Sequence, residues 1–254
     1  MPGRSRVGVG GDRDDVVVWC RGPIEQHTSA VLLVHDRLTN ARSWDLVMGR
    51  LPAEVAVVAV DLRGRGSAWR QSPSLGVGTH VDDLGDVLDR LDLDEVLAVG
   101  QGFGATVAAA LAAAAPDRVA LTIGVLGNNS GDPFDSVLGM AFPSRHEHLL
   151  FWQRHPCFAP ADARAVEAFV AHGIAGPQDH HRWRVDLRSL VADDHDAIEA
   201  PMSAFSRSIT IGSMSTGPTP VGTTTQLPQL DPAVALLTSS GADAIAAQIL
   251  PFLA

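Results

Sequence analysis

A chain of 254 residues with 46% hydrophobic and 19% charged residues is long enough to bury a sizeable core in one domain, and its composition excludes extensive disorder. Its formal charge of −10 is not offset by a basic block, so nucleic acid and anionic membrane surfaces are not expected as partners. Two cysteines, Cys20 and Cys157, match no zinc or disulfide spacing; the N-terminal MPGRSRVGVGGDRDD has no apolar leader and no stretch reaches the roughly 20 apolar residues of a membrane span, so a cytoplasmic location is expected.

In chain order, Val16-Val17-Val18-Trp19 and Ala30 to Val34 are apolar runs separated by the turn-forming Arg21-Gly22-Pro23, which predicts an opening antiparallel pair. His35 ends the second run; a loop and a helix follow, with Ser43 as the expected N-cap before Trp44. Val55 to Val60 reads as a buried strand leading into Asp61-Leu62-Arg63-Gly64-Arg65-Gly66, and Thr79 opens an acidic helix through Leu91. Leu97-Ala98-Val99 is a buried strand, Gly100-Gln101-Gly102-Phe103-Gly104 a tight turn, and Ala105 to Ala115 a strong helix former.

Ala120 to Leu126 is the next expected strand. From Asn128 to about Ile198 the character changes, with seven of the ten histidines and amphipathic stretches around 160–172 and 180–192. Ile209-Thr210-Ile211 returns to the sheet, Thr216–Pro228 reads as a loop, Val234 to Leu237 as a last short strand, and Asp243 to Leu253 as a closing helix. Strands that are apolar throughout and alternate with helices indicate an α/β fold: a mainly parallel sheet covered on both faces.

The run V-L-L-V-H-D with Ser43-Trp44 downstream, the D-L-R-G-R-G turn and G-Q-G-F-G resemble the α/β-hydrolase family, in good order over roughly residues 7–126 and more loosely to the end. The resemblance implies a core over 1–127 and 199–254 with an inserted helical cap over 128–198. In the family the strand–helix turn has the pattern G-x-S-x-G and presents a serine; here that position is Gly102. The family's acid position falls on Ser215, with Asp132 or Asp135 as alternatives, and no histidine follows His195. The triad is therefore expected to be degenerate.

The resemblance places the family's oxyanion hole at the backbone amides of Phe103 and of the loop near Asp36 or Arg37. H-D replaces the usual H-G pair, so Asp36 and His35 are candidate catalytic groups, Asp36 as a general base. The competing reading has His35 packed on the loop backbone and Asp36 capping a turn. Arg37, Gln101, Gly102 and Phe103 are candidate substrate contacts from the core; Trp152, His181 and Trp183 are candidates from the cap. Trp44, Asp61, Arg63 and Arg65 read as scaffold. His146/His148 and His180/His181 lack the i, i+4 spacing of paired helical ligands, so neither metal nor cofactor is expected.

Two functions follow. One is a non-hydrolytic enzyme (lyase, isomerase, cyclase or cofactor-free oxygenation catalyst) acting on a bulky apolar carbonyl compound, with specialised metabolism as the setting that the resemblance implies. The alternative is an inactive pseudo-hydrolase that binds a small molecule or a protein.

Overall fold

The computed structural model describes residues 3–7, 16–69, 76–127, 137–177, 180–186, 188, 207–211, 223–227 and 235–253. Strands β1 (Gly3–Val7), β2 (Val16–Arg21), β3 (Ser29–Val34), β4 (Val57–Val60), β5 (Glu95–Gln101) and β6 (Val119–Gly127) are followed by the two-residue β7 (Ile174–Ala175) and β8 (Arg182–Trp183), then β9 (Arg207–Ile211) and β10 (Thr223–Leu227). The main sheet has the order β1-β2-β4-β3-β5-β6-β9-β10. β1 and β2 run antiparallel at one edge, and every pair from β4 to β10 is parallel. This is the α/β-hydrolase architecture.

The continuous apolar strands are explained by their two buried faces. Leu32, Val34, Val58 and Val60 turn to one side, against α2 (Val77–Arg90) and α3 (Phe103–Ala114). Val31, Leu33, Val57 and Ala59 turn to the other, against Trp44, α1 (Asp45–Arg50) and α6 (Ser239–Ile249). With a period of two, neither face can be polar without exposing an unpaired group to the core.

Several local expectations are corrected. β2 and β3 do not pair, because β4 lies between them and bonds to both. The chain crosses over through α1 before β4 forms, so the short separation in sequence does not bring β2 and β3 together. Asn40, not Ser43, caps the turn before α1: its side chain accepts a hydrogen bond from the Arg42 amide at 3.0 Å. Ala235–Leu237 is a 3-10 turn feeding α6, and the last strand of the sheet is β10, inside the stretch read as a loop. Its Thr223-Thr224-Thr225 run has β-propensity that the surrounding Gly and Pro obscured. Helix α5 (Ala163–Gly173) meets the first amphipathic stretch, whereas the second opens with β8 flanked by the isolated bridges at His181 and Val185.

Residues between 137 and 186 pack as a separate apolar cluster around Trp152, Phe158, Phe169 and Trp183, built largely on α4 (Arg145–Arg154) and α5. This cluster sits on the loops that leave β3 and β4. The Trp183 indole donates to the Leu38 carbonyl at 2.9 Å, Asn40 Nδ2 to the Phe169 carbonyl at 3.2 Å, and the Gly66 amide to the Arg184 carbonyl at 3.2 Å.

A buried ion pair fixes the loop after β4 to α2. Arg63 donates to both carboxylate oxygens of Asp83, at 2.9 and 2.6 Å, with each side chain about 5% exposed or less. Arg63→Ala strands the Asp83 carboxylate, and the expected loss is about 3–5 kcal/mol in urea unfolding at pH 7.5. A loss below 1 kcal/mol would show that water reaches Asp83.

Candidate active site

The centre of the site is the turn from β5 into α3. Gly102 occupies it at φ 51°, ψ −118°, a backbone region that L side chains rarely adopt. Two residues on, Gly104 lets α3 approach the end of β3: a β-carbon there would collide with the carbonyl oxygens of Val34 and His35. The glycine spacing read in the sequence therefore produces a close strand–helix crossing with the loop 35–40 beside it.

That loop places Asp36 directly over the turn. One carboxylate oxygen, Oδ1, accepts the backbone N–H of Arg37 at 2.8 Å and that of Phe103 at 2.7 Å. The resemblance implies an oxyanion hole at the Phe103 amide and a loop amide near Asp36 or Arg37; in this structure the amides of Phe103 and Arg37 hold the chain's own carboxylate. The same group fills the space above Gly102: a β-carbon on that glycine would lie against Asp36 Oδ1, Cγ and Oδ2, at 2.5 Å from the last. Asp36 is 6% exposed, Gln101 and Phe103 are buried beside it, and Gly102 and Arg37 are half-buried.

His35 is fully buried beneath the loop. Its Nδ1 lies 2.6 Å from the Asp36 carbonyl oxygen, and its Nε2 accepts the Leu62 amide at 3.0 Å. Burial lowers its pKa to about 4; the attraction of Asp61 and the bond to the Asp36 carbonyl oppose this only in part. Both ring nitrogens are engaged, one with the Asp36 carbonyl and one with the Leu62 amide, the arrangement of the packed-on-the-loop reading of His35.

Beneath the loop, the fully buried Arg65 was read as scaffold, and it does more than that reading required. Its Nε donates to the Arg37 carbonyl and its Nη1 to the Arg63 carbonyl, both at 2.8 Å, while the guanidinium lies 5.4 Å from the centre of the Phe103 ring. One buried cation thus braces both segments whose amides hold Asp36.

A second group was missed altogether. His172, at the end of α5, meets Asp61 through Nε2 at 2.6 Å, and Asp61 also accepts the amides of Ala41 (2.9 Å) and Ser67 (3.0 Å). Burial acts to raise the Asp61 pKa, but the charge and hydrogen bond of His172 outweigh it, leaving the carboxyl below its ordinary range. No local spacing links residues 61 and 172; only the docking of α5 does.

Trp152 and Trp183 do not line an open cavity. They are 0% and 6% exposed, and their rings pack 5.4 Å apart within the apolar cluster. Their apolar area is worth more inside a core than on a wall. His181 is half-buried and exchanges two backbone hydrogen bonds with Phe142, at 2.8 and 2.9 Å. Asp132, Asp135 and Ser215 lie outside the described residues. Thr238 caps α6, its hydroxyl accepting the Gly241 amide at 3.0 Å. Among the described residues no group of three or more His, Cys, Asp or Glu side chains is placed to hold a metal ion, and no helix is long and apolar enough to cross a membrane.

The sheet order, the glycine turn and the loop beside it define a hydrolase-type scaffold. The model of the alpha/beta hydrolase family matches residues 31–250, and the chain belongs to that family. Among curated relatives it is similar to lipase LipV of Mycobacterium tuberculosis, 29% identical over 176 residues that span 63% of this chain and 64% of that protein. It is also similar to a 2-hydroxymuconate semialdehyde hydrolase of a Pseudomonas species, 30% identical over 118 residues, 46% of this chain and 38% of the relative. The chain thus matches less than two thirds of either relative's length. Among solved structures, E-2-(acetamidomethylene)succinate hydrolase superposes with a TM-score of 0.75 at 17% identity, covering 98% of this chain and 99% of the other. The thioesterase domain from the curacin biosynthetic pathway gives 0.73 at 18%, covering 98% and 99%. At these identities the likeness is one of fold.

Proposed function

We propose that this chain has left serine-based acyl transfer and uses the elbow as a small-molecule site whose reactive group is Asp36. One observation carries the reading: the Asp36 carboxylate occupies both elbow amides and the space a nucleophile on residue 102 would need. Acyl transfer requires a nucleophile and donors waiting for the oxyanion. Gly102 supplies no nucleophile, and both donors are already bonded to a carboxyl oxygen of Asp36.

What a carboxylate at this position supplies is proton transfer, the step shared by isomerase, lyase and cyclase reactions. The position of Asp36 also revises the expected ligand. A carbonyl oxygen finds the amides of Arg37 and Phe103 occupied, whereas an enol, hydroxyl or amine donor finds an acceptor. The ligand class is therefore an apolar molecule presenting an acidic proton, such as an enolisable carbonyl compound in its enol form. The second reading, a pocket that binds without turnover, is favoured by the same pairing, because an amide satisfied by Asp36 does not stabilise a substrate's developing charge.

The test combines a fluorophosphonate probe, p-nitrophenyl butyrate and native mass spectrometry after incubation with metabolite extract. The expected result is no adduct on the elbow peptide and ester hydrolysis at the buffer rate, together with conversion of one compound that Asp36→Asn abolishes while the compound is still retained. An adduct on a serine with ester turnover would overturn the proposal. Retention without conversion would establish the binding reading in its place.

A further inference from the structure

Away from the elbow, the end of α4 builds a pair that the proposed function does not use. His155 closes the helix, Pro156 opens a 3-10 turn, and Cys157 follows within it. Proline presets the backbone of this turn, and its tightness sets the two flanking side chains together: His155 Nδ1 lies 2.8 Å from Cys157 Sγ. The imidazole is held in place by Phe158, edge-on at 6.3 Å, and by Phe151 and Trp152 at 6.1 and 6.3 Å. Cys157 itself is partly exposed.

His155 and Pro156 line one part of a cavity of about 500 Å³ along α4, whose walls also include Phe142, Leu150 and Phe151, with Glu147, Arg154 and His155 supplying polar groups; Cys157 follows Pro156 in the same turn, behind that wall. A largely apolar trough in which the Arg154 guanidinium is the donor for an acceptor oxygen, with the Glu147 carboxylate on the same wall, fits an uncharged molecule with an apolar body and a carbonyl oxygen. A thiol that shares its proton with an imidazole is the activated form of a cysteine nucleophile.

We propose that Cys157, activated by His155, is a covalent capture site for apolar α,β-unsaturated carbonyl compounds seated in this cavity. In the step, the thiol proton passes to His155 Nδ1 and the sulfur electron pair forms a C–S bond at the β-carbon. The electrons of the carbon–carbon double bond move to the α-carbon, which takes the proton back from the imidazolium. The product is a thioether carrying the whole mass of the electrophile, with no change in overall oxidation level and no leaving group.

The chain carries its own reference thiol. Burial pushes the Cys20 pKa up to about 11, so Cys20 is a suppressed thiol and serves as an internal check that a variant leaves the rest of the fold unchanged, while the pH slope and the His155 variants carry the test of activation. The experiment treats the full chain with limiting N-phenylmaleimide from pH 6 to 8 and follows both cysteine peptides by mass spectrometry. Cys157 is expected to react at least tenfold faster than Cys20 and to slow by less than tenfold from pH 8 to pH 6, where an ordinary thiol slows by about a hundredfold.

His155→Ala is expected to reduce the Cys157 rate at least tenfold and restore the steep pH dependence, with Cys20 unchanged; His155→Gln, closer in shape, does the same if the alanine variant folds poorly. Simple exposure of Cys157 would give a fast reaction with the ordinary pH slope and no response to either variant. That result would overturn the assignment, as would equal rates at the two cysteines.

Discussion

Gly102→Ser is expected to destabilise the fold by about 4 kcal/mol and to create no esterase. The new side chain meets two costs. At φ 51° a residue with a β-carbon is strained by about 1–3 kcal/mol. The β-carbon also enters the volume of the Asp36 carboxyl group, which must swing away from the amides of Arg37 and Phe103; a charged hydrogen bond of this kind contributes about 1.5–3 kcal/mol. The costs are coupled, since both run through the same few atoms. Asp36→Gly in the Gly102→Ser background is therefore expected to return at least half of the loss, whereas Asp36→Gly alone destabilises by leaving two N–H groups unpaired. Urea unfolding of the four chains measures the cycle. Equal stability of Gly102→Ser and the native chain would show that Asp36 does not stand over the elbow.

Acid is expected to weaken the fold well before the carboxylates titrate. Burial lowers the pKa values of His35 and His148 to about 4 each, against about 6.5 in an unfolded chain. Between those values the unfolded state binds the protons, so stability rises with pH across the window and is lost as pH falls through it. Each histidine removes about 2 kcal/mol by pH 5 and about 3 kcal/mol near pH 4. Above pH 7 neither contributes.

The two histidines are distinguishable. His35 is bound through both nitrogens, whereas His148 is 0% exposed, stacks on Phe142 at 4.0 Å, and neither of its ring nitrogens has a hydrogen-bond partner among the described residues. His148→Leu keeps the apolar packing and removes one of the two titrations. Its stability is expected to fall between pH 7.5 and pH 5 by about 2 kcal/mol less than that of the native chain. Parallel losses in the two proteins would show that water reaches the His148 ring on protonation. The Asp61 carboxyl, held below its ordinary range, acts in a lower window: its contribution is present above the unfolded value and goes as pH falls through the folded one.

The amino-acid sequence by itself determined the family and a mainly parallel sheet covered on both faces, because both rest on local patterns; the strand order and the edge strands came from the tertiary structure. Apolar runs such as Val31 to Val34 must be strands buried on two faces, and G-Q-G-F-G must be a turn whose glycines admit a helix to the end of a strand. It also marked Asp36 and Gly102 as departures from the family's pattern, and the resemblance pointed to the Phe103 amide and to a loop amide near Asp36 or Arg37. What it could not decide was that these departures meet. The Asp36–Phe103 hydrogen bond spans 67 residues and the His172–Asp61 pair 111. Whether a carboxylate acts on a ligand or fills its own chain's cavity depends on a few ångströms between segments far apart in sequence. The same holds for Trp152 and Trp183, whose composition suits a cavity wall and a core equally. Only the packing of α4 and α5 onto the loops after β3 and β4 put them in the core, because a helix face is buried or open according to what docks against it.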